Sequence, residues 1–276
     1  MGSSADLKGY CMPLSPEGKA QLVGPLPWHF SMDVMAFIYR TNPDEIKKLL
    51  PEPFEPSSEP DIAYVWFMDT LSIWEADKDM IYVNPERAMY RECMLGIRCR
   101  VKGIEGHRVA YMWADNDFTL LRGWFYGYPK KLGRIHMSSS KRQIYELNKG
   151  IGRFGAGTRL QSFCEAHGER LITGNMRLSK QIAPSALLPP FGLPTFNILH
   201  FPTTEIGSDK PLVYQVIQPI AEPPAWGDVW AADDTSLSFT ESEIEEHTAI
   251  RPREISGAYF LSMGLSFKGI KVIHQY

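Results

Sequence analysis

The chain has 276 residues, 44% of them hydrophobic and 22% charged, with a formal net charge of -3; that length can bury a sizeable core, and the absence of a basic block argues against a nucleic-acid partner. No apolar run approaches the ~18 residues a membrane span needs, and the first residues lack the apolar centre of a signal peptide, so no membrane partner and a cytoplasmic location are expected. The four cysteines (Cys11, Cys93, Cys99, Cys164) include no Cys-x-x-Cys pair and the seven histidines show no zinc-site spacing, so the sequence carries no signal for a metal or a disulfide framework.

Residues 1–27 read as an irregular lead-in to a single domain spanning 1–276. Over residues 29–41 the alternation of Met32, Val34, Ala36 and Ile38 predicts a half-buried strand. A short helix follows over 42–51. Asn42 caps it, Pro43 suits its first position, Ile46, Leu49 and Leu50 form its buried stripe, and Pro51 stops it. Residues 61–70 predict an apolar strand, followed by a loop to about Tyr90.

Residues 92–101 form the cleanest strand pattern in the chain. Cys93, Leu95, Ile97, Cys99 and Val101 face one way, and Glu92, Met94, Gly96, Arg98 and Arg100 the other. If the second face looks into a barrel, Glu92 is a desolvated acid suited to proton transfer. If it faces water, Glu92 pairs with Arg91 or Arg98. The pattern leaves both readings open. Gly103 and Gly106 mark a turn into a partner strand over 107–113.

The stretch Gly123-Trp124-Phe125-Tyr126-Gly127-Tyr128-Pro129-Lys130-Lys131-Leu132-Gly133 sets two adjacent lysines among aromatics. An ordinary lysine, with a pKa near ~10.4, leaves fewer than about one amine in a thousand unprotonated at neutral pH. Desolvation by the aromatics and repulsion between the two cations could supply the roughly 4 kcal/mol needed to free it, and a free amine attacks ketones to form Schiff bases. The competing reading is a surface turn carrying two solvated lysines.

Further strand-like segments occur at 134–137, 143–147, 159–164, 171–177, 196–201 and 212–217. Gly150-Ile151-Gly152-Arg153-Phe154-Gly155 matches the dinucleotide fingerprint in letters. No helix start follows it, and a glycine-rich hairpin loop is the expectation. The glutamate-rich residues 242–247 read as one helical turn or an acidic, solvated loop. Residues 258–276 read as helix or strand passing into a final strand. Many short strands and few helical patterns predict a β-dominated α+β domain, a barrel or a folded-over sheet.

Tyr128-Pro129-Lys130-Lys131-Leu132-Gly133 resembles the active-site segment of the acetoacetate decarboxylase family, an established precedent for a lysine activated by its surroundings. Tyr90-Arg91-Glu92 is similar to the family's Tyr-x-Glu, without a gap up to Asp115-Asn116. Phe37-Ile38-Tyr39-Arg40-Thr41, Pro51-Glu52-Pro53, Met68-Asp69-Thr70, Pro219 to Trp226 and Val272-Ile273 run in a similar order, so the resemblance covers most of the chain. It implies antiparallel sheets closing into a barrel around the active-site lysine. It also implies that Lys130 forms the imine, that Lys131 depresses the pKa of Lys130 or orients its backbone, and that Glu92 moves protons beside it. No cofactor is implied, because the lysine is itself the electron sink. Assembly into a homo-oligomer is a further implication.

The departures fall where the family handles a small substrate's carboxylate. Trp28-His29-Phe30-Ser31-Met32 lacks the family's arginine, and Tyr64-Val65-Trp66-Phe67 lacks its second glutamate. Arg122-Gly123-Trp124 stands in place of Gly-Arg-Glu. The pocket expected from Tyr128, Trp66, Tyr90, Met94, His29 and Met32 suits a larger, more apolar keto acid or ketone. The expected function is Schiff-base-forming decarboxylation of a β-keto acid. The alternatives are an aldolase–dehydratase (or retro-aldolase) acting on a keto acid and an aldehyde, and a non-catalytic ligand-binding protein.

Overall fold

The computed structural model describes residues 6–138 and 154–276. Among the described residues thirteen strands run in chain order: β1 (Trp28–Arg40), β2 (Phe54–Glu55), β3 (Ile62–Trp74), β4 (Met89–Val101), β5 (Ile104–Ala114), β6 (Lys130–Leu132), β7 (Arg134–Met137), β8 (Arg159–Ala166), β9 (Glu169–Gln181), β10 (Asn197–Phe201), β11 (Val213–Ala221), β12 (Ala225–Phe239) and β13 (Glu254–Gln275). The helices are short: α1 (Pro43–Lys48), α2 (Met80–Val83) and α3 (Asp117–Phe125). The fold is α+β and dominated by strands, as the sequence pattern predicts.

The main path of the sheet is β6-β5-β4-β3-β1-β13-β12-β9-β8-β7. Its ladders are antiparallel except for the parallel β5–β6 pair. Among the described residues no ladder joins β6 to β7, so the sheet curls over without strictly closing. The curl buries Phe37, Val65, Leu95 and Trp113 from one half against Cys164, Ile172 and Leu178 from the other. Alternation then sends Val34, Tyr64, Met94 and Met112 to the opposite face, where they form a second apolar cluster with Leu261. Burial on both faces fits the apolar runs of β3 and β4, but corrects β1, where Val34 to Tyr39 are all buried and a half-buried strand was expected.

At α1, the Asn42 side chain accepts from the Asp44 N–H at 3.2 Å. Several elements differ from expectation, among them α2, which interrupts the predicted loop before Tyr90, and α3, which the sequence reading leaves as a connection. Residues 258–276 belong to one continuous strand, β13, that starts at Glu254. The strand β12 has no counterpart in the sequence reading, because Asp233, Asp234 and Ser236 sit in its exposed stretches and register shifts interrupt its ladders. The predicted strand at 143–147 and most of the glycine-rich motif at 150–155 lie outside the described residues. Among the described residues no helix is long and apolar enough to cross a membrane.

Candidate active site

A cavity of about 110 Å³ opens on the second face of the sheet. Its lining follows the two-residue period of each strand: Trp28, Phe30, Met32 and Val34 from β1, Trp66 and Met68 from β3, Tyr90, Glu92 and Met94 from β4, and Met263, Leu265 and Phe267 from β13. Met112 of β5 and Lys130 of β6 extend that wall. Arg122, Gly123, Tyr126 and Tyr128 close it from α3 and the loop beyond.

The sequence around α3 fixes where Lys130 stands. Gly127 adopts φ +64° at the end of the helix, and a Cβ there would lie 2.7 Å from the Ile198 carbonyl oxygen, so both conformation and space call for glycine. Pro129 then restricts the chain as it enters β6. Lys130 pairs in register with Met112 and Lys131 with Trp113. The Trp124 indole N–H donates to the Lys130 carbonyl oxygen at 2.9 Å and ties the helix to the strand.

Lys130 is buried, at 6% exposure. Its Nζ donates to Glu92 Oε2 at 2.6 Å and to Thr119 Oγ1 at 2.7 Å. It also lies 5.3 Å from the centre of the Tyr90 ring. Burial pushes its pKa below the ordinary lysine value; Glu92 opposes that shift and the Arg122 cation adds to it. Burial also raises the phenols of Tyr90 and Tyr128, with Glu92 adding to both, so the two hydroxyls stay protonated. On Glu92 the sequence left two readings, and the structure places it in the cavity, paired with Lys130.

Tyr128, Trp66, Tyr90, Met94 and Met32 line the same cavity. His29 does not. It sits between two lining residues on β1, so its side chain takes the other face, bonded to Glu75 at 2.6 Å and Ser266 at 2.8 Å. Lys131 is likewise on the wrong side of its strand to act on Lys130. Its Nζ pairs with Glu245 and lies 5.6 Å from the Trp113 ring centre. The second cation near Lys130 is Arg122, not Lys131. The acidic segment is corrected by the same contact. Glu245 is buried, and it also accepts from the Trp113 indole at 3.1 Å.

Thr119 and Arg122 are the site residues that sequence reasoning missed. They share the buried face of α3 with Phe118 and Gly123. Recognising that helix would have put Thr119, Arg122 and Gly123 on one side, at spacings of three and four residues. Two polar residues and a glycine on the buried face hid the apolar periodicity. Gly123 has its own role: a Cβ there would come within 2.5 Å of Lys130 Cδ, so the lysine side chain passes through the space the glycine leaves. A buried amine between a carboxylate and a hydroxyl, facing an apolar cavity, is suited to nucleophilic attack on a carbonyl followed by local proton transfer.

A family model described as acetoacetate decarboxylase (ADC) matches residues 11–276. No curated protein sequence matches the chain. Among solved structures, an acetoacetate decarboxylase-like enzyme from Sphingomonas wittichii RW1 superposes with a TM-score of 0.86 at 22% identity, covering 98% of this chain and 100% of the other. The enduracididine biosynthesis enzyme MppR, complexed with the condensation product of pyruvate and imidazole 4-carboxaldehyde, gives 0.84 at 24% identity, with both chains covered in full at 100%. An acetoacetate decarboxylase from Legionella pneumophila gives 0.76 at 18% identity, covering 99% of each chain. At these identities the structural likeness concerns the fold, and the family assignment rests on the match across nearly the whole sequence. The chain belongs to the acetoacetate decarboxylase family.

Proposed function

We propose that the protein is a Schiff-base-forming carbon–carbon lyase whose nucleophile is Lys130. The observation that carries this reading is the buried Nζ held between Glu92 and Thr119 on the wall of an apolar cavity. Lys130 passes its proton to Glu92 and attacks the carbonyl carbon of a ketone or keto acid. The carbinolamine loses the former carbonyl oxygen as water, with Glu92 returning the proton that makes it a leaving group. The protonated imine is the electron sink for the next step, and Glu92 then exchanges a proton with the enamine carbon. Neutral Tyr90 and Tyr128 supply hydrogen-bond donors without adding charge.

Two reactions use such an imine. Decarboxylation of a β-keto acid is the reaction named in the family's description. The second reading is aldol addition of a keto acid to an aldehyde, with loss of water. MppR, solved with a product of pyruvate and an aldehyde, favours it. Borohydride trapping with a panel of keto acids, followed by peptide mass mapping, tests the proposal. A substrate-derived mass on the Lys130 peptide is the expected result. Adducts confined to other lysines would remove Lys130 from the role. Release of CO2 from the best-trapped acid selects decarboxylation, and its consumption with an aldehyde without CO2 selects the aldol reaction.

A further inference from the structure

A buried polar chain stands behind the cavity residues Trp66 and Tyr128. His107 of β5 is 5% exposed. Its Nδ1 lies 2.6 Å from the hydroxyl of the fully buried Tyr64, and its Nε2 lies 3.0 Å from Thr195 Oγ1. The backbone is shaped around this chain. The His107 N–H donates to the Pro194 carbonyl at 3.0 Å, and the Phe196 N–H donates to the His107 carbonyl at 2.8 Å. A Cβ at Gly106 would lie 2.6 Å from the Pro194 carbonyl oxygen, and one at Gly96 would lie 2.2 Å from the Tyr64 hydroxyl oxygen. The β4–β5 ladder shifts register between Leu95 and Gly96, as strands do where a bulge re-aims their side chains. The buried Asn197 amide donates to the Tyr126 carbonyl at 3.0 Å, which ties the Thr195 segment to the turn that carries Tyr128.

These hydrogen bonds have one consistent direction. Burial holds the His107 pKa down at about 3; the Leu193 carbonyl opposes that shift and Arg98 adds to it, so the imidazole is neutral. Burial likewise keeps the Tyr64 phenol protonated. Among the described residues, Nδ1 of His107 is the only hydrogen-bond partner of that hydroxyl, so Tyr64 donates and Nδ1 accepts. A neutral ring then carries its proton on Nε2 and gives it to Thr195 Oγ1. The Thr195 hydroxyl proton is left for the Tyr128 phenol, on which Thr195 acts as a hydrogen-bond partner against the rise that burial and Glu92 cause. With its oxygen engaged there, Tyr128 turns its own proton to the cavity it lines.

We propose that His107 is a positioning residue, which acts through Thr195 to aim the Tyr128 O–H into the cavity, at the carbonyl oxygen of the compound that Lys130 attacks. The inference rests on the imine chemistry of Lys130 and adds the parts that orient its donor. A Tyr128 hydroxyl whose proton faced Thr195 would present only lone pairs to the cavity. It would then repel the oxygen on which negative charge develops as the amine adds, where a fixed donor stabilises it. Tyr64 anchors the far end of the chain, since its single proton sets which nitrogen of His107 donates.

The test follows adduct formation at Lys130 with acetone and with pyruvate, quenched with borohydride at timed intervals and read by peptide mass at each variant's high-pH plateau. Thr195→Val keeps the shape of the side chain and removes its hydroxyl. The rate is expected to fall about 10-fold, and Thr195→Ser to recover it to within about 3-fold of wild type. On the Tyr128→Phe background, Thr195→Val is expected to change the rate by less than about 2-fold, because no phenol proton remains to aim. Equal losses on both backgrounds, as a merely structural role would give, or no loss on either, would overturn the proposal. Failure of the wild-type protein to form any adduct at Lys130 would instead overturn the imine reading. Nitrogen-15 NMR of His107, its signals assigned with His107→Gln, then decides on the chain. A proton on Nε2 from about pH 5 to 8, with a signal displaced by both Thr195→Val and Tyr128→Phe, upholds it. A proton on Nδ1, titration within that range, or a signal indifferent to Tyr128→Phe refutes it.

Discussion

At the scale of single residues, the decisive contrast is between Lys130 and Lys131. They are neighbours in sequence and occupy opposite sides of β6. One lines the cavity with its Nζ on Glu92, and the other pairs with Glu245. Because burial lowers the Lys130 pKa, the neutral amine appears as pH rises through that lowered value, and the trapping proposed for it is expected to reach its plateau below the ordinary ~10.4 of lysine. A trapping profile with its midpoint at the ordinary value would contradict the burial argument. Glu92→Gln makes a sharper test. Glu92 favours the charged form of Lys130, so its removal moves the midpoint to lower pH. The same change removes the group proposed to carry the proton, so the plateau turnover is expected to fall by roughly 10²–10⁴-fold. A midpoint displaced down together with a lower plateau separates this role from simple loss of structure, which would lower the plateau alone.

At the scale of elements, the site depends on α3 being placed over β6. At Gly123 the helix leaves no room for a side chain, since an added methyl would meet Lys130 Cδ at 2.5 Å. In an exposed helix, glycine to alanine stabilises by roughly 1 kcal/mol. Here the methyl must displace a side chain that Glu92 and Thr119 hold at its far end. Gly123→Ala is therefore expected to cut the rate of imine formation by at least about 10-fold, an effect of ~1.4 kcal/mol or more on the barrier. Comparing trapping rates with the melting temperature checks it, since a purely helical effect would raise the melting temperature and spare the rate. The strands around this helix were the most legible part of the sequence. β1, β3 and β4 bury alternating apolar residues on two faces, so period and composition agree, and Glu92 and Met94 are found on the face assigned to them. The helix was not legible. Its buried side carries Thr119, Arg122 and Gly123, which serve the cavity and break the pattern an amphipathic helix would show. The missed residues and the missed element have the same cause.

At the scale of the whole molecule, the curled sheet has its two hydrogen-bonded ends at β6 and β7, and Lys130 sits on one of them. An end strand of three residues needs support from outside its ladder. Lys131 supplies some of it through Glu245, which lies beyond β12 in the chain and was read from sequence as part of a solvated acidic face. That reading failed because composition reports the charge of a segment and not the partner its one buried member reaches. Glu245 is desolvated, yet its hydrogen bonds to Lys131 and Trp113 outweigh burial and leave its pKa below the ordinary carboxylate value. The folded state then binds fewer protons than the unfolded chain at this group. Its stabilising contribution is complete above the ordinary value and is lost as pH falls through the lowered one. Lys131→Ala leaves the buried carboxylate without that cation. A loss of roughly 1–3 kcal/mol is expected, or several degrees in melting temperature for a chain of this size, together with a weaker dependence of stability on pH below about 4.5. The pH midpoint of Lys130 trapping should stay where it is in the wild-type protein. A displaced midpoint with unchanged stability would restore Lys131 to the neighbour's role that adjacency in the sequence suggested. A lower melting temperature with an unmoved midpoint leaves Lys131 holding the edge of the sheet in place, apart from the chemistry proposed for Lys130.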